Sequence, residues 1–286
     1  MISEQLHKKI NFAIKLLQSY SKASQEEPIE IAYSGGKDSD VILQLARESG
    51  IKYVARYKNT TIDPPGTIKH ATDNGAEVIR PKKGFFDIVR MAGYPTRYSR
   101  ICCKILKEYK ISNKVVIGVR RAESAKRAKR YKEPTQCRIF RGGQKVEQIF
   151  PILEWSDDDV LQFILDRNIQ LHPLYYKEDG TIDIKRRLGC MGCPLASEKH
   201  RLAEFKKNPK LLRAWIRAGQ QFIDNRPDLK AAKLHSDGYE YFFNNLHLKT
   251  LADLNEYNNG FFGKPNYKQL LEDYFGCDLT IKTKKQ

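Results

Sequence analysis

Ile29-Glu30-Ile31-Ala32-Tyr33 runs straight into Ser34-Gly35-Gly36-Lys37-Asp38-Ser39, and an apolar stripe of Val41, Ile42, Leu45 and Ala46 follows at helical spacing. A short strand, a glycine turn and a helix start in immediate succession constrain this chain more than any other feature. In an open α/β sheet, ligands sit beyond the carboxyl ends of the strands, where a helix N-terminus presents N–H groups and the positive end of its dipole. Two glycines let the backbone fold tightly around phosphate oxygens. Lys37 adds a positive charge, Ser34 and Ser39 add hydroxyl donors, and Asp38 suits either a Mg²⁺ ion or a helix cap. The spacing is that of neither the Walker loop nor the dinucleotide fingerprint. The competing reading is a structural turn with a helix cap. The order of all six residues, directly after an apolar strand, favours an anion site.

The alternation continues along the chain. Ile2, Leu6, Ile10, Ala13, Ile14 and Leu17 predict an opening amphipathic helix, and Gly50 stands where the helix after the loop should be capped. Tyr53 to Tyr57 reads as a strand, the stretch after Pro64-Pro65 as a helix, and Glu77 to Arg80 as a strand. Phe85 to Met91 and Cys102 to Tyr109 read as helices. Lys114 to Val119 has the apolar run of a buried parallel strand, and Gln148 to Ile152 reads as the last strand. Ser156 then caps a helix with Asp157, Asp158 and Asp159 in its first turn. This pattern predicts a three-layer α/β domain with a mostly parallel sheet over residues 1–196. Strand signals fade after Ser197, which predicts a helical C-terminal region over 197–286, with Lys282 to Gln286 frayed at its end.

At Ser34–Ser39 the sequence resembles the pyrophosphatase loop of the adenine-nucleotide alpha hydrolase superfamily. Further matches resemble the PAPS reductase family within it. Asn59-Thr60-Thr61-Ile62-Asp63-Pro64-Pro65-Gly66-Thr67 is similar to that family's Asn-Thr…Pro-Glu-Thr segment, with Gly66 where Glu is usual. Gly118-Val119-Arg120-Arg121-Ala122-Glu123-Ser124-Ala125-Lys126-Arg127 resembles its Gly-x-Arg-x-x-Glu-Ser-x-x-Arg motif. Phe150-Pro151-Ile152, Trp155 to Val160 and Pro173-Leu174-Tyr175 resemble its next stretch. The resemblance implies an adenine nucleotide over the loop, with Ser34, Gly35, Gly36, Lys37, Asp38, Ser39, Asn59, Arg120, Glu123, Ser124 and Arg127 around it. Lys37 and Asp38 are the catalytic candidates. Guanidinium forks suit phosphate or sulfate oxygens, so Arg120 and Arg127 are expected on the phosphates, and Glu123 is expected to orient an arginine or meet the ribose or a metal.

The six cysteines are too few for a disulfide scaffold. Cys102-Cys103 and Cys190-x-x-Cys193 instead pair thiols as metal or cluster ligands do, and Gly189 and Gly192 permit a tight turn. Within the family, such a set resembles the [4Fe–4S] ligands of adenylylsulfate-type reductases and of relatives that thiolate DNA. Four thiolates could equally hold Zn²⁺, and two buried cysteines beside a chance CxxC need no metal at all. Arg100, Lys104, Arg186 and Arg187 lie nearby in sequence to offset thiolate charge. The tail departs from the family: its sulfonucleotide reductases end in Glu-Cys-Gly-(Leu/Ile)-His, whereas here Gly276-Cys277-Asp278-Leu279 has no following histidine, and the nearest preceding one is His247. Cys277 therefore reads better as a small apolar residue than as a nucleophile. Cys137 sits in a basic stretch, and His172 and His200 show no ligand spacing.

With 51 Lys plus Arg against 34 Asp plus Glu, the net charge is +17, which suits a polyanionic partner. Part of it gathers at Arg120–Lys132 and Lys185–Arg187, and part from Lys199 to Arg217, more than a mononucleotide requires. No apolar run reaches the ~18 residues of a membrane span, and a cytoplasmic protein without a membrane partner is expected. Three functions remain open. One is an ATP-using enzyme that releases pyrophosphate, adenylates an acceptor and passes it sulfur, with Mg²⁺, a sulfur donor and a nucleic-acid acceptor as partners. The second reduces APS or PAPS to sulfite with a thioredoxin-like reductant. The third is a nucleotide-binding subunit without turnover.

Overall fold

The computed structural model describes residues 2–140, 143–245 and 265–281; His247 and Lys282–Gln286 lie outside them. In chain order the elements begin with α1 (Glu4–Gln18), α2 (Ser21–Glu26), β1 (Ile29–Tyr33), α3 (Lys37–Ser49) and β2 (Tyr53–Lys58). There follow α4 (Thr67–Asp73), β3 (Glu77–Ile79), α5 (Phe85–Ala92), α6 (Ile101–Leu106), β4 (Lys114–Val116) and α7 (Ala125–Arg130). The rest are β5 (Thr135–Ile139), β6 (Lys145–Ile149), α8 (Asp157–Asp166), α9 (Glu198–Lys207), α10 (Pro209–Asn225), α11 (Lys230–Lys233), α12 (Gly238–Asn245) and α13 (Tyr267–Phe275). They form two compact units. The first comprises residues 1–59, 63–81 and 107–189, and the second 60–62, 82–106 and 190–286. The second unit thus takes two segments from the middle of the chain as well as the C-terminal residues.

The first unit is built on a six-stranded sheet in the order β3-β2-β1-β4-β6-β5. All neighbours run parallel except β5, which pairs antiparallel with β6 at one edge, Thr135 opposite Ile149 and Ile139 opposite Lys145. The sheet is mostly parallel with flanking helices, the α/β class that the alternation predicts. Strand β5 was not legible, because it lies in a basic, half-exposed stretch without an apolar face. Two other strands are shorter or shifted. β4 stops at Val116, where Val119 N–H turns back onto the Ile117 carbonyl at 2.9 Å. β6 ends at Ile149 because Pro151 cannot donate to a ladder, and Phe150 to Trp155 become turns.

The caps agree with the sequence. Ser3 accepts from Leu6 N–H at the start of α1, which buries Leu6, Ile10, Ala13 and Leu17. Gly50 closes α3 at φ 72°, a left-handed conformation that disfavours a Cβ. Ser156 and Asp159 exchange hydrogen bonds in a capping box at the start of α8. The core of this unit joins Ile29 and Ile31 of β1, Val41, Ile42 and Leu45 of α3, and Trp155, Phe163 and Ile164.

The second unit is helical among its described residues, and its core centres on the fully buried Trp215 of α10. Phe85, Tyr94 and Phe205 surround that indole, with ring centroids 4.9, 5.4 and 5.7 Å away. The Tyr94 hydroxyl donates to the Trp215 carbonyl at 2.7 Å, so the buried phenol keeps its hydrogen bond. Such packing needs Gly219: a Cβ there would overlap the Tyr94 hydroxyl and approach its Cζ to 2.7 Å. Gly219→Ala is expected to lower stability by about 1–3 kcal/mol through overpacking. Chemical denaturation followed by tryptophan fluorescence checks this; an unchanged midpoint contradicts it.

Candidate functional site

Strand order reverses between β1 and β4: the chain builds outward through β2 and β3 on one side and through β6 and β5 on the other. In open α/β sheets, ligands bind at the carboxyl ends of the strands at such a switch point. The loop leaving β1 is Ser34–Ser39 and the one leaving β4 leads through Gly118 to Arg120. Both motifs that the sequence singles out therefore leave adjacent strands on the same edge.

The loop is tightly folded. Gly35 takes φ 74°, and Gly36 is the extended N-cap residue of α3. Ser39 donates its hydroxyl to the Gly36 carbonyl at 2.7 Å, and Ser34 donates to the Ser39 hydroxyl at 3.2 Å. Lys37 N–H donates to the Tyr175 hydroxyl at 3.2 Å, and the Lys37 ammonium stands 5.9 Å from that ring. Burial pushes the Tyr175 hydroxyl up to about 12, so it stays protonated at neutral pH. Asp38 lies between two cations: Lys37 Nζ at 3.3 Å and Arg120 Nε at 2.6 Å.

Arg120 is only 1% exposed. Besides Asp38, its guanidinium donates to Asp157 at 2.8 Å and to the Trp155 carbonyl at 3.3 Å. The sequence places this arginine on phosphate, but its side chain lies inside the protein, bracing the glycine loop against the start of α8. Gly118 makes the approach feasible, since a Cβ there would meet the Asp38 carbonyl oxygen at 2.8 Å. Glu123 accepts from Arg120 N–H at 3.3 Å and pairs with Arg127, while Arg187 donates to the Glu123 carbonyl at 3.1 Å. Glu123 thus ties Arg127, and through its carbonyl Arg187, to the segment after β4. Ser124 caps α7 by accepting from Arg127 N–H. Burial, then repulsion from Arg187, lowers the Arg127 pKa, and its side chain remains partly exposed. Asn59 is buried at the end of β2, its N–H on the Ile79 carbonyl at 3.0 Å.

Beneath the loop is a polar layer that sequence spacing did not reveal. Asp40, in the first turn of α3, is buried, accepts from the Tyr33 hydroxyl and meets His70 Nε2 at 3.1 Å. Burial raises the Asp40 pKa, and the His70 and Tyr33 contacts oppose that shift. His172 stacks edge-on against His70 with centroids 5.8 Å apart. Leu174 N–H donates to His172 Nδ1 at 3.2 Å, and Nε2 faces the Pro65 carbonyl at 3.2 Å. Those contacts fit a neutral ring with its proton on Nε2. Gly66, where the related pattern has Glu, sits at φ 88°, and a Cβ would lie 3.3 Å from His172 Nε2.

All four candidate ligand cysteines belong to the second unit. Cys102 and Cys103 lie on α6, and Cys190 to Cys193 forms a turn closed by Cys193 N–H on the Cys190 carbonyl at 3.2 Å. Gly192 takes φ 74°, with Phe205 and Trp215 only 2.8 Å from where a Cβ would be. A hydrogen bond with Cys103, then burial and the negative charge of Cys103 and Cys190, raises the Cys102 pKa. The donor type fits an iron–sulfur cluster or zinc. Among the described residues, however, no three His, Cys, Asp or Glu side chains already stand as a metal-holding group, so ligation would require these side chains to converge. Cys277 packs against the core of the second unit, Cys137 is exposed on β5, and His200 pairs with Glu204 at 3.2 Å.

Burial, then the neighbouring His70, holds the His172 imidazole below its ordinary 6.5. The unfolded chain accepts a proton that the folded ring resists. This contribution to stability is therefore full above about pH 6.5 and declines as the pH falls through the folded-state value. His172→Gln should flatten the acid side of a melting-temperature profile between about pH 7 and 5; an unaltered slope contradicts the neutral-ring assignment.

The sequence profile of the phosphoadenosine phosphosulfate reductase domain matches residues 28–196. No curated protein sequence matches the chain. Among solved structures, phosphoadenylyl-sulfate (PAPS) reductase from Candida auris in a phosphate complex is 16% identical at a TM-score of 0.42, covering 66% of this chain and 96% of that one. Candida glabrata FMN adenylyltransferase is 18% identical at 0.43, covering 60% of this chain, which spans only 58% of that enzyme. The U34-tRNA thiolase NcsA from Methanococcus maripaludis, solved with its [4Fe–4S] cluster, is 14% identical at 0.40, covering 84% and 81%. No helix among the described residues is long and apolar enough to cross a membrane. With the profile matched over more than half of its length, the chain belongs to the phosphoadenosine phosphosulfate reductase domain family.

Proposed function

We propose that the chain binds ATP, with Mg²⁺ on its phosphates, over Ser34–Ser39 and uses it to adenylate an acceptor to which sulfur is then transferred. The observation that carries this reading is the switch point in strand order: a glycine loop and helix start after β1, beside the Arg120–Arg127 segment after β4. An acceptor oxygen attacks the α-phosphorus, and pyrophosphate leaves with the electrons of the broken bond. A sulfur nucleophile then displaces AMP, which leaves with the acceptor oxygen. Charge builds on the phosphoryl oxygens and on pyrophosphate in the first step. Lys37 and Arg127 would be the cations to meet it, and Arg120, which pairs with Asp38, would act behind the loop. The basic surface suits a nucleic acid as acceptor.

The tail favours this over sulfonucleotide reduction. The segment carrying Cys277 lacks the histidine that follows the reductase cysteine, and it is fixed within the second unit. Leu279 N–H donates to Glu272 at 2.8 Å, Tyr239 donates to the Leu279 carbonyl at 2.8 Å, and Arg213 donates to the Asp278 carbonyl at 2.9 Å. Purified protein given Mg²⁺-ATP and acceptor should release pyrophosphate. Lys37→Ala should reduce the rate about 100-fold or more, and Cys277→Ser should leave it unchanged. Sulfite release from a sulfonucleotide, abolished by Cys277→Ser, contradicts the reading.

Cys102, Cys103, Cys190 and Cys193 are proposed to hold a [4Fe–4S] cluster, with Zn²⁺ as the alternative that four thiolates allow. Bound there, a cluster would be held by the four thiolates and would supply iron able to bind sulfur. Anaerobically purified protein should be brown and contain about four iron atoms per chain. Colourless protein loaded with zinc contradicts the cluster.

A further inference from the structure

Tyr98 is fully exposed, although an aromatic ring loses most by facing water. It does not sit on a loose loop. Thr96 N–H donates to the Ser99 carbonyl at 2.9 Å, and the Thr96 hydroxyl accepts from Tyr98 N–H at 3.2 Å and Ser99 N–H at 2.9 Å. Between these residues, Arg97 donates to the Pro194 carbonyl at 3.0 Å and the Ala196 carbonyl at 3.4 Å. One guanidinium thus ties the tyrosine turn to the segment just after the CxxC. The backbone under Tyr98 is ordered in advance, which reduces the entropy lost when the ring is covered.

The charge of the turn itself is positive. Residues 97–104 contain Arg97, Arg100 and Lys104 and no acid. Helix α9, which starts two residues after Ala196, exposes Lys199, Lys206 and Lys207. Arg201 on the same helix is 5% exposed, and its Nε has no hydrogen-bond partner. Arg97 acts on it as a like charge. The nearby acids are Glu198 and Glu204, and Glu204 already accepts from Gly192 N–H at 2.9 Å and pairs with His200. The Arg201 Nε thus has no partner among the described residues, and the exposed Lys199, Lys206 and Lys207 leave the outer face of α9 positive.

We propose that the second unit binds a single-stranded nucleic-acid segment, with an unpaired base stacked on Tyr98 and the adjoining phosphates along the Arg97–Lys104 and α9 cations. A duplex hides its base faces, and an acidic peptide offers charge without the matching π-surface, so the exposed ring within a basic field selects a single strand. This rests on the reading of nucleic acid as acceptor but requires neither ATP nor sulfur.

Fluorescence anisotropy of the full chain with a fluorescein-labelled single strand of mixed sequence, without nucleotide, tests it. The single strand should bind more tightly than the matched duplex. Tyr98→Ala should weaken binding about tenfold, Tyr98→Trp should retain it, and Lys199→Gln with Lys206→Gln should reduce the salt dependence. Because Tyr98 is fully exposed, its replacement should leave the melting temperature unchanged, separating lost binding from misfolding. Equal affinity of wild type and Tyr98→Ala, preference for duplex, or binding only to an acidic peptide overturns the proposal. Tyr98-dependent binding in a protein that releases no pyrophosphate leaves this inference standing and overturns only the reaction proposed above.

Discussion

Arg120 reaches from the segment after β4 to Asp38 on the first turn of α3 and to Asp157 on the first turn of α8. A buried guanidinium cannot shed its proton, so it requires acceptors on several sides. Asp38, Asp157 and the Trp155 carbonyl supply them, and in doing so bind together the loops leaving the two central strands. The geometry of the glycine loop depends on this bracket. Gly118 lets the backbones approach closely enough to form it, and Tyr175 receives the Lys37 N–H from another side. The loop is held in one conformation by these internal bonds, with Lys37 N–H on Tyr175 and the Ser39 hydroxyl on the Gly36 carbonyl.

The layer below the loop has a different task. Tyr33, Asp40 and His70 satisfy one another at the root of α3, while His172 is occupied on both nitrogens by main-chain partners. Buried polar groups with their partners in place favour one arrangement over nearby alternatives, because any slip strands a donor or a carboxylate. Helix α3, which follows the glycine loop, is therefore held at its first turn by side-chain hydrogen bonds as well as by Val41, Ile42 and Leu45 in the core. In the second unit the corresponding anchor is apolar: Trp215, Phe205 and Gly192 pack so closely that the CxxC turn has little freedom of backbone conformation.

Much of the first unit was legible because local signals and tertiary packing agree there. The strand Ile29–Tyr33, the glycine turn, the cap at Gly50 and the capping box at Ser156 each follow from chemistry within a few residues. What was not legible depends on distant residues. The burial of Arg120 follows from Asp157, 37 residues away, and its motif alone could not separate a phosphate ligand from a brace. The Asp40–His70 contact spans 30 residues, and Asp40 by itself reads as one more acid in a helix's first turn. Strand β5 forms because β6 offers it a partner, despite an unpromising composition. The second unit gathers residues 60–62 and 82–106 with the C-terminal segment, and no composition change marks those joins.

The central claim is that an adenine nucleotide binds over the loops that leave the carboxyl ends of β1 and β4. Hydrogen–deuterium exchange with and without Mg²⁺-ATP measures this most directly, since it reports on backbone amides without requiring turnover. The account predicts slowed exchange in peptides covering Ser34–Asp40 and Gly118–Arg127, and little change on β5. Protection confined to other parts of the chain, or none at saturating ATP, would contradict it.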